Sequence, residues 1–210
     1  VTEQIAYWMG EILIGKADYY IDLHSSGSDS EMPQMCGYIK SDSTGHHLTS
    51  QDMAEAFRAN VTWAHPNFSS GRTLSYAYDH VIPAIYSECP STRCVSINDL
   101  EVYSRGALNV MKLIGMTQGK LEGSPSKYYL SGNGDTDQCV SATTDGFFQP
   151  DKNLLDLVKK GESLGTIKSL SGELLEEIFS PIQGYVGMRR MLPSTHVGDS
   201  LFMIVDGFRS

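Results

Sequence analysis

The sequence predicts an α/β domain followed by a small all-β domain, and three observations carry that prediction. The run Asp18-Tyr19-Tyr20-Ile21-Asp22-Leu23-His24 is aromatic and β-branched and stops at Ser25-Ser26-Gly27, as a buried strand does where it opens into a loop. Apolar residues recur at helical spacing before it and again over Asn98 to Met116. Beyond a Gly-, Ser- and Pro-rich stretch from Thr117 to Lys127, turn signals alternate evenly with short apolar runs. A chain of 210 residues can hold two small cores. The expected division is 1–118 for the α/β domain and 119–210 for the β domain, a sandwich or barrel.

Each element has a local reason. Ile5, Trp8, Met9, Ile12 and Leu13 share a helical face between Thr2, a plausible N-cap, and Gly15, a stop, so this helix should pack on something. The strand ending at His24 follows, and its carboxyl end should face a crevice. Ser50 to Asn60 reads as a helix, then a loop runs through Trp63, His65 and Pro66 to the Ser69-Ser70-Gly71 turn. Val81 to Tyr86 is a short apolar strand finishing on Ser87-Glu88, with Pro83 marking its start or an edge. Leu100, Val102, Tyr103, Leu108, Val110, Met111, Leu113 and Ile114 form a long helix opened by Asn98 or Asp99. In the second part, strands are expected at Leu164 to Ile167, Leu174 to Phe179, Tyr185 to Arg189 and Leu201 to Val205.

Charge narrows the partners. A net charge of -9 and a pI near 5.0, with no Lys/Arg cluster, argue against nucleic acid. No apolar run is long enough to span a bilayer, so a membrane is not expected as a partner. Cys36, Cys89, Cys94 and Cys139 form no CxxC pair and no disulfide framework, which points to free thiols and a cytoplasmic setting.

Two polar residues stand where strands open into loops. Imidazole binds zinc, and a nearby carboxylate can take a proton from zinc-bound water, so His24 and Glu88 suit a catalytic site. A satisfied core histidine and a loop carboxylate are the equally weighted alternative. Asp22 shares the strand face of His24 and either orients its ring or caps structure locally. Cys89, without a paired histidine, reads as a small buried side chain. His196 and Asp199 have H-x-x-D spacing, but in a turn where local hydrogen bonding is expected.

The segments Ala17 to Ser25, Ile82-Pro83-Ala84-Ile85-Tyr86-Ser87-Glu88 and Ser104-Arg105-Gly106-Ala107-Leu108-Asn109-Val110-Met111 resemble the succinylglutamate desuccinylase and aspartoacylase family. So do Leu157 to Gly161, Gly172 to Ile178, Ser180-Pro181, Gly184 and His196 to Leu201, which are similar to that family's second domain. The resemblance implies a zinc-carboxypeptidase-like α/β/α sheet domain, represented by its carboxyl-terminal part, followed by a small barrel-sandwich-like β domain. It implies a zinc-dependent deacylase acting on an N-acyl amino acid or related small amide, with one zinc ion per complete subunit. His24 matches the last of three zinc ligands, Glu88 the general base and Arg72 an arginine that grips a substrate carboxylate. A homo-oligomer would fit such an enzyme.

The family's H-x-x-E motif, which supplies the other two ligands, has no counterpart in these residues: His46-His47, His65 and His80 are all without a Glu at the right spacing. The expectation is therefore a chain lacking its amino-terminal part and inactive as it stands. A rival reading is a non-catalytic binding or scaffold protein with a carrier-like β domain. That reading needs a modifiable lysine at a hairpin tip, and Lys168 lies just before the Ser169-Leu170-Ser171-Gly172 turn without the flanking pattern of such carriers.

Overall fold

The computed structural model describes residues 1–40, 48–67, 69–90, 94, 96–134 and 139–207. His46 and His47, set aside above for their spacing, lie outside the described residues.

The chain opens with α1 (Thr2–Trp8), which continues as a π turn over Met9–Leu13 and a 3-10 turn over Ile14–Lys16. The expected single helix to Ile14 thus changes hydrogen-bond register midway. Gly10 lies against the Tyr76 ring, where a Cβ would sit 2.8 Å from Cε2. Among the described residues nothing covers its apolar stripe, with Ile5, Trp8, Ile12 and Leu13 all exposed, and contact is made through Gly10 and Ile14.

Strand β1 (Tyr20–Leu23) leads to His24; β2 (Ser30–Glu31) and β3 (Met35–Ile39) follow. Helix α2 (Ser50–Phe57) starts on a Thr49/Asp52 capping box and stops where Arg58 turns left-handed at φ 61°. Next come β4 (Val61–His65), α3 (Thr73–Asp79), β5 (Ala84–Glu88) and α4 (Ile97–Leu113), which is capped by Ser96. The remaining elements are strands: β6 (Tyr128–Ser131), β7 (Val140–Ser141), β8 (Gly146–Pro150), β9 (Leu157–Val158), β10 (Ser163–Lys168), β11 (Leu174–Phe179), β12 (Gly184–Arg190), β13 (Ser194–Thr195) and β14 (Ser200–Gly207).

The main sheet runs in the order β1-β5-β3-β4-β6-β14-β12-β2, with β7 on β14 and β9 on β12. A second sheet has the order β11-β10-β8-β13. Mixed α/β architecture is therefore present, but one sheet passes from the helical part into the β part. β6 lies beyond the expected boundary at 118, yet it pairs parallel with β4 and antiparallel with β14. Met32, Met35, Val61, Trp63 and Leu130 pack with Met188, Met203 and Val205 in one shared core. A separate core, with Leu164, Ile167, Ile178 and Leu201, fills the β part.

Helices α2 and α4 cover one face of the helical part through Met53, Phe57, Val102 and Val110, against Cys36, Tyr38, Ala64 and Ile85. The other face carries α3 and the amino-terminal turns, with Ile14, Leu74 and Ala77 on Ala84. Two expectations are corrected by the pairing. β1 is half-buried rather than buried, and among the described residues β5 alone borders it. Val61–His65, read as loop, is a fully buried interior strand. Pro83 does precede a strand, but β5 lies between β1 and β3 and not at an edge.

Candidate active site

β1 and β5 are parallel and in register, Asp22 beside Tyr86 and Leu23 beside Ser87, so both strands end at the same rim. The next residues along are His24 and Glu88, and the His24 amide donates to the Ser87 carbonyl at 2.8 Å. Alternation along the strands puts Asp22, His24, Tyr86 and Glu88 on one face. The backbone at the rim is fixed from below. The Tyr103 hydroxyl donates to the His24 and Ser87 carbonyls, and the Cys89 thiol reaches the His24 carbonyl at 3.8 Å. Ser26, in the loop that ends β1, is buried; it donates to the Cys89 carbonyl and accepts from the Met32 amide, a structural role.

A cavity of about 370 Å³ opens at this rim, lined by His24 and Glu88, by Arg72, Thr73 and Leu74 at the start of α3, and by Met32, Tyr86, Asn133 and Gly134 among others. The three residues singled out from the sequence, His24, Arg72 and Glu88, thus come together in one cavity. Arg72 is the N-cap residue of α3, where Ser75 bonds both its amide and its carbonyl and so orients this turn toward the cavity.

Electrostatics separate the two carboxylates. Burial pushes Glu88 up to about 7, with His24 pulling it down and Asp22 pushing it up. Its Oε2 is buried with no hydrogen-bond partner among the described residues. Burial acts on Asp22 in the same direction, but hydrogen bonds from His24 and Thr73 outweigh it and hold this carboxyl below the usual range. His24 Nε2 lies 2.9 Å from Asp22 Oδ1, while the Thr73 hydroxyl donates to the other oxygen, Oδ2. The bond to Asp22 raises the His24 pKa against the lowering effect of burial. Asp22 therefore orients the ring.

This arrangement fits one position of a metal site. His24 is half-exposed and its Nε2 is committed to a carboxylate, so Nδ1, with no hydrogen bond among the described residues, is the nitrogen that could take a ligand, as where a metal-binding imidazole is oriented from behind. Among the described residues no three His, Cys, Asp or Glu side chains gather closely enough to complete such a site.

Several functional contacts escaped sequence reasoning. Thr73, Tyr86 and the 132–134 segment were not singled out, and His65 was considered only for H-x-x-E spacing. The alternation of Asp22, His24 and of Tyr86, Glu88 could have indicated Tyr86. Outside the cavity, Asp199 accepts from the His196 amide at 2.9 Å and pairs with Arg190 at 2.8 Å, the local bonding expected of that turn. Lys168 ends β10 with Nζ 3.0 Å from Gln149 Oε1. No helix among the described residues is long and apolar enough to cross a membrane.

A mixed sheet with helices on both faces of its first half, a β extension, and a histidine and carboxylate at one strand rim together define a mixed α/β architecture with a polar cavity at its sheet rim. No family model and no curated protein matches the sequence. Solved structures do match the fold. A succinylglutamate desuccinylase/aspartoacylase from Rhodobacter sphaeroides superposes with a TM-score of 0.86 at 19% identity, over 100% of this chain and 64% of that one. The product-bound ectoine utilization protein EutE (DoeB) from Ruegeria pomeroyi gives 0.85 at 21% identity, over 98% and 63%. A succinylglutamate desuccinylase from Silicibacter sp. TM1040 gives 0.87 at 21% identity, over 99% and 64%. The chain has the fold of these proteins and spans a little under two thirds of their length.

Proposed function

We propose that this chain carries the base and carboxylate-binding side of a zinc-dependent deacylase, which hydrolyses an N-acyl amino acid or related small amide to a carboxylate and a free amine. The observation that carries this reading is the convergence of His24, Glu88 and Arg72 on one cavity. Each has an environment suited to its task. Glu88, with a pKa raised to about 7, can take a proton from the attacking water and return it to the departing amine nitrogen near neutral pH. The planar guanidinium of Arg72 suits a substrate carboxylate, which would orient the amide toward Glu88. Met32, Leu74 and Tyr86 supply apolar wall that limits water around the reacting bond. His24 is one ligand of the zinc, held by Asp22, with the remaining ligands coming from outside the described residues. When bound, zinc supplies Lewis-acid polarisation of the acyl carbonyl.

On this reading the 210 residues alone do not turn over substrate. The test is hydrolysis of a panel of N-acyl amino acids, with and without zinc, by these 210 residues and by the product of the whole gene. Support is turnover by the whole product that is lost in Glu88→Gln and whose KM rises in Arg72→Met. Zinc-loaded whole product that hydrolyses none of the panel would overturn the deacylase assignment, and turnover by the 210 residues alone would overturn the expected inactivity.

A further inference from the structure

His65 closes β4 and is fully buried, 0% exposed. It stacks on Trp63 with centroids 5.4 Å apart and lies 5.5 Å from the Tyr86 ring. Its Nδ1 is 2.8 Å from the Gly132 carbonyl oxygen and 3.1 Å from that of Asn133. Carbonyl oxygens only accept, so Nδ1 carries the proton. In the neutral ring Nε2 must then accept, and the Tyr86 hydroxyl donates to it at 2.8 Å. One tautomer satisfies all three contacts.

Two glycines clear the way for this arrangement. Tyr86 and Gly37 are direct neighbours across β5 and β3, and a Cβ on Gly37 would fall 2.1 Å from Tyr86 Cε1, so the phenol ring lies flat over that bare backbone toward His65. Gly134, at φ 66°, wraps the imidazole closely, since a Cβ there would sit 2.6 Å from His65 Cε1. Tyr86, Asn133 and Gly134 all line the cavity, whereas His65 does not.

We propose that His65 is a positioning residue that clasps the Tyr86 phenol and the 132–134 segment into one wall of the cavity, and so sets the fit of the bound acyl amino acid. The clasp brings the Tyr86 hydroxyl proton and two backbone carbonyls to a single imidazole, and the Trp63 indole N–H adds a second donor to the Gly132 carbonyl at 3.3 Å. It also joins β5, which carries Glu88, to the segment following β6. His65 touches no reacting atom; it acts through Tyr86 and the segment.

The role in substrate fit rests on the deacylase reading, but the clasp itself is tested without turnover. In ¹⁵N-histidine spectra of the 210-residue chain, His65 should show a protonated Nδ1 and a bare Nε2 at neutral pH. Tyr86→Phe, which removes one oxygen, should shift the His65 Nε2 resonance and the Asn133 and Gly134 amides while the fold is retained. A proton on Nε2, or unmoved 133–134 amides in a folded Tyr86→Phe protein, would overturn the clasp. In the hydrolytically active whole product, His65→Leu should raise KM at least tenfold with kcat within threefold, and His65→Gln, which can both donate and accept, should recover most of that loss. A folded His65→Leu protein with unchanged KM would refute the role in fit. Failure of the whole product to hydrolyse any N-acyl amino acid would sink the deacylase reading, and with it the role in fit, while leaving the spectroscopic arms to decide the clasp.

Discussion

Acidification should destabilise this fold through one buried ring. Burial lowers the His65 pKa from 6.5 to about 4, with the Gly132 and Asn133 carbonyls opposing that shift. In the unfolded chain the ring binds a proton below pH 6.5, whereas in the folded chain it stays neutral until about pH 4. Its contribution is therefore complete above pH 6.5 and is lost as pH falls from there to about 4. Moving the proton-binding midpoint between those values corresponds to about 3 kcal/mol. Glu88 works in the opposite sense: its raised pKa favours the folded state below pH 4.5 and that advantage fades as pH rises through about 7. The wild-type curve alone would therefore mix the two, and comparison with His65→Gln isolates the ring. Urea unfolding at pH 7.5, 6.5, 5.5 and 4.5, with chelator present, should show wild type losing more stability than His65→Gln on acidification, the gap approaching about 3 kcal/mol toward pH 4. Parallel curves for the two proteins would refute the assignment of a neutral, buried His65.

Glu88→Gln in the active whole product should lower kcat by about 10²- to 10⁴-fold, measured by amine release, and should abolish a rise of kcat/KM with pH centred near 7. Arg72→Met should raise KM about tenfold to a hundredfold for substrates bearing a carboxylate, and less for amides lacking one. His24→Ala should reduce bound zinc in equilibrium dialysis with metal analysis, and Asp22→Asn should weaken it by about 10- to 100-fold, because the ring loses its orienting carboxylate. Gly37→Ala should destabilise by about 1 to 3 kcal/mol in urea and displace the Tyr86 ring, seen as a change in tyrosine near-ultraviolet dichroism.

Much of this site was legible because strand ends announce themselves. Tyr19 to His24 stops at Ser-Ser-Gly and Ile82 to Glu88 at Cys89-Pro90, so local pattern alone places His24 and Glu88 at loop openings. That they stand side by side depends on parallel pairing between strands about 60 residues apart, which local pattern does not encode. β4 was missed because His65-Pro66 and Thr62 look like loop chemistry, yet Thr62 is satisfied by Ser126 and His65 by Tyr86 and Gly132. Gly37 is needed in β3 because the Tyr86 ring of the neighbouring strand lies across it. α3 was missed because Thr73–Asp79 is short and rich in tyrosine. For β4 and Gly37 the deciding partner is distant in sequence.

The uninterrupted sheet also bears on how the molecule assembles. Glu31 pairs with Arg189, Ser131 with Asp206, and β14 lies between β6 and β12. Contacts of such sequence separation must pay a large closure entropy before they gain anything, so folding should be slow for a chain of this size. Until residues 200–207 dock, both β6 and β12 carry an open edge, and those edges are where association between unfinished copies would begin. Expression at low temperature or with chaperones should then raise the yield more than any substitution at the cavity does.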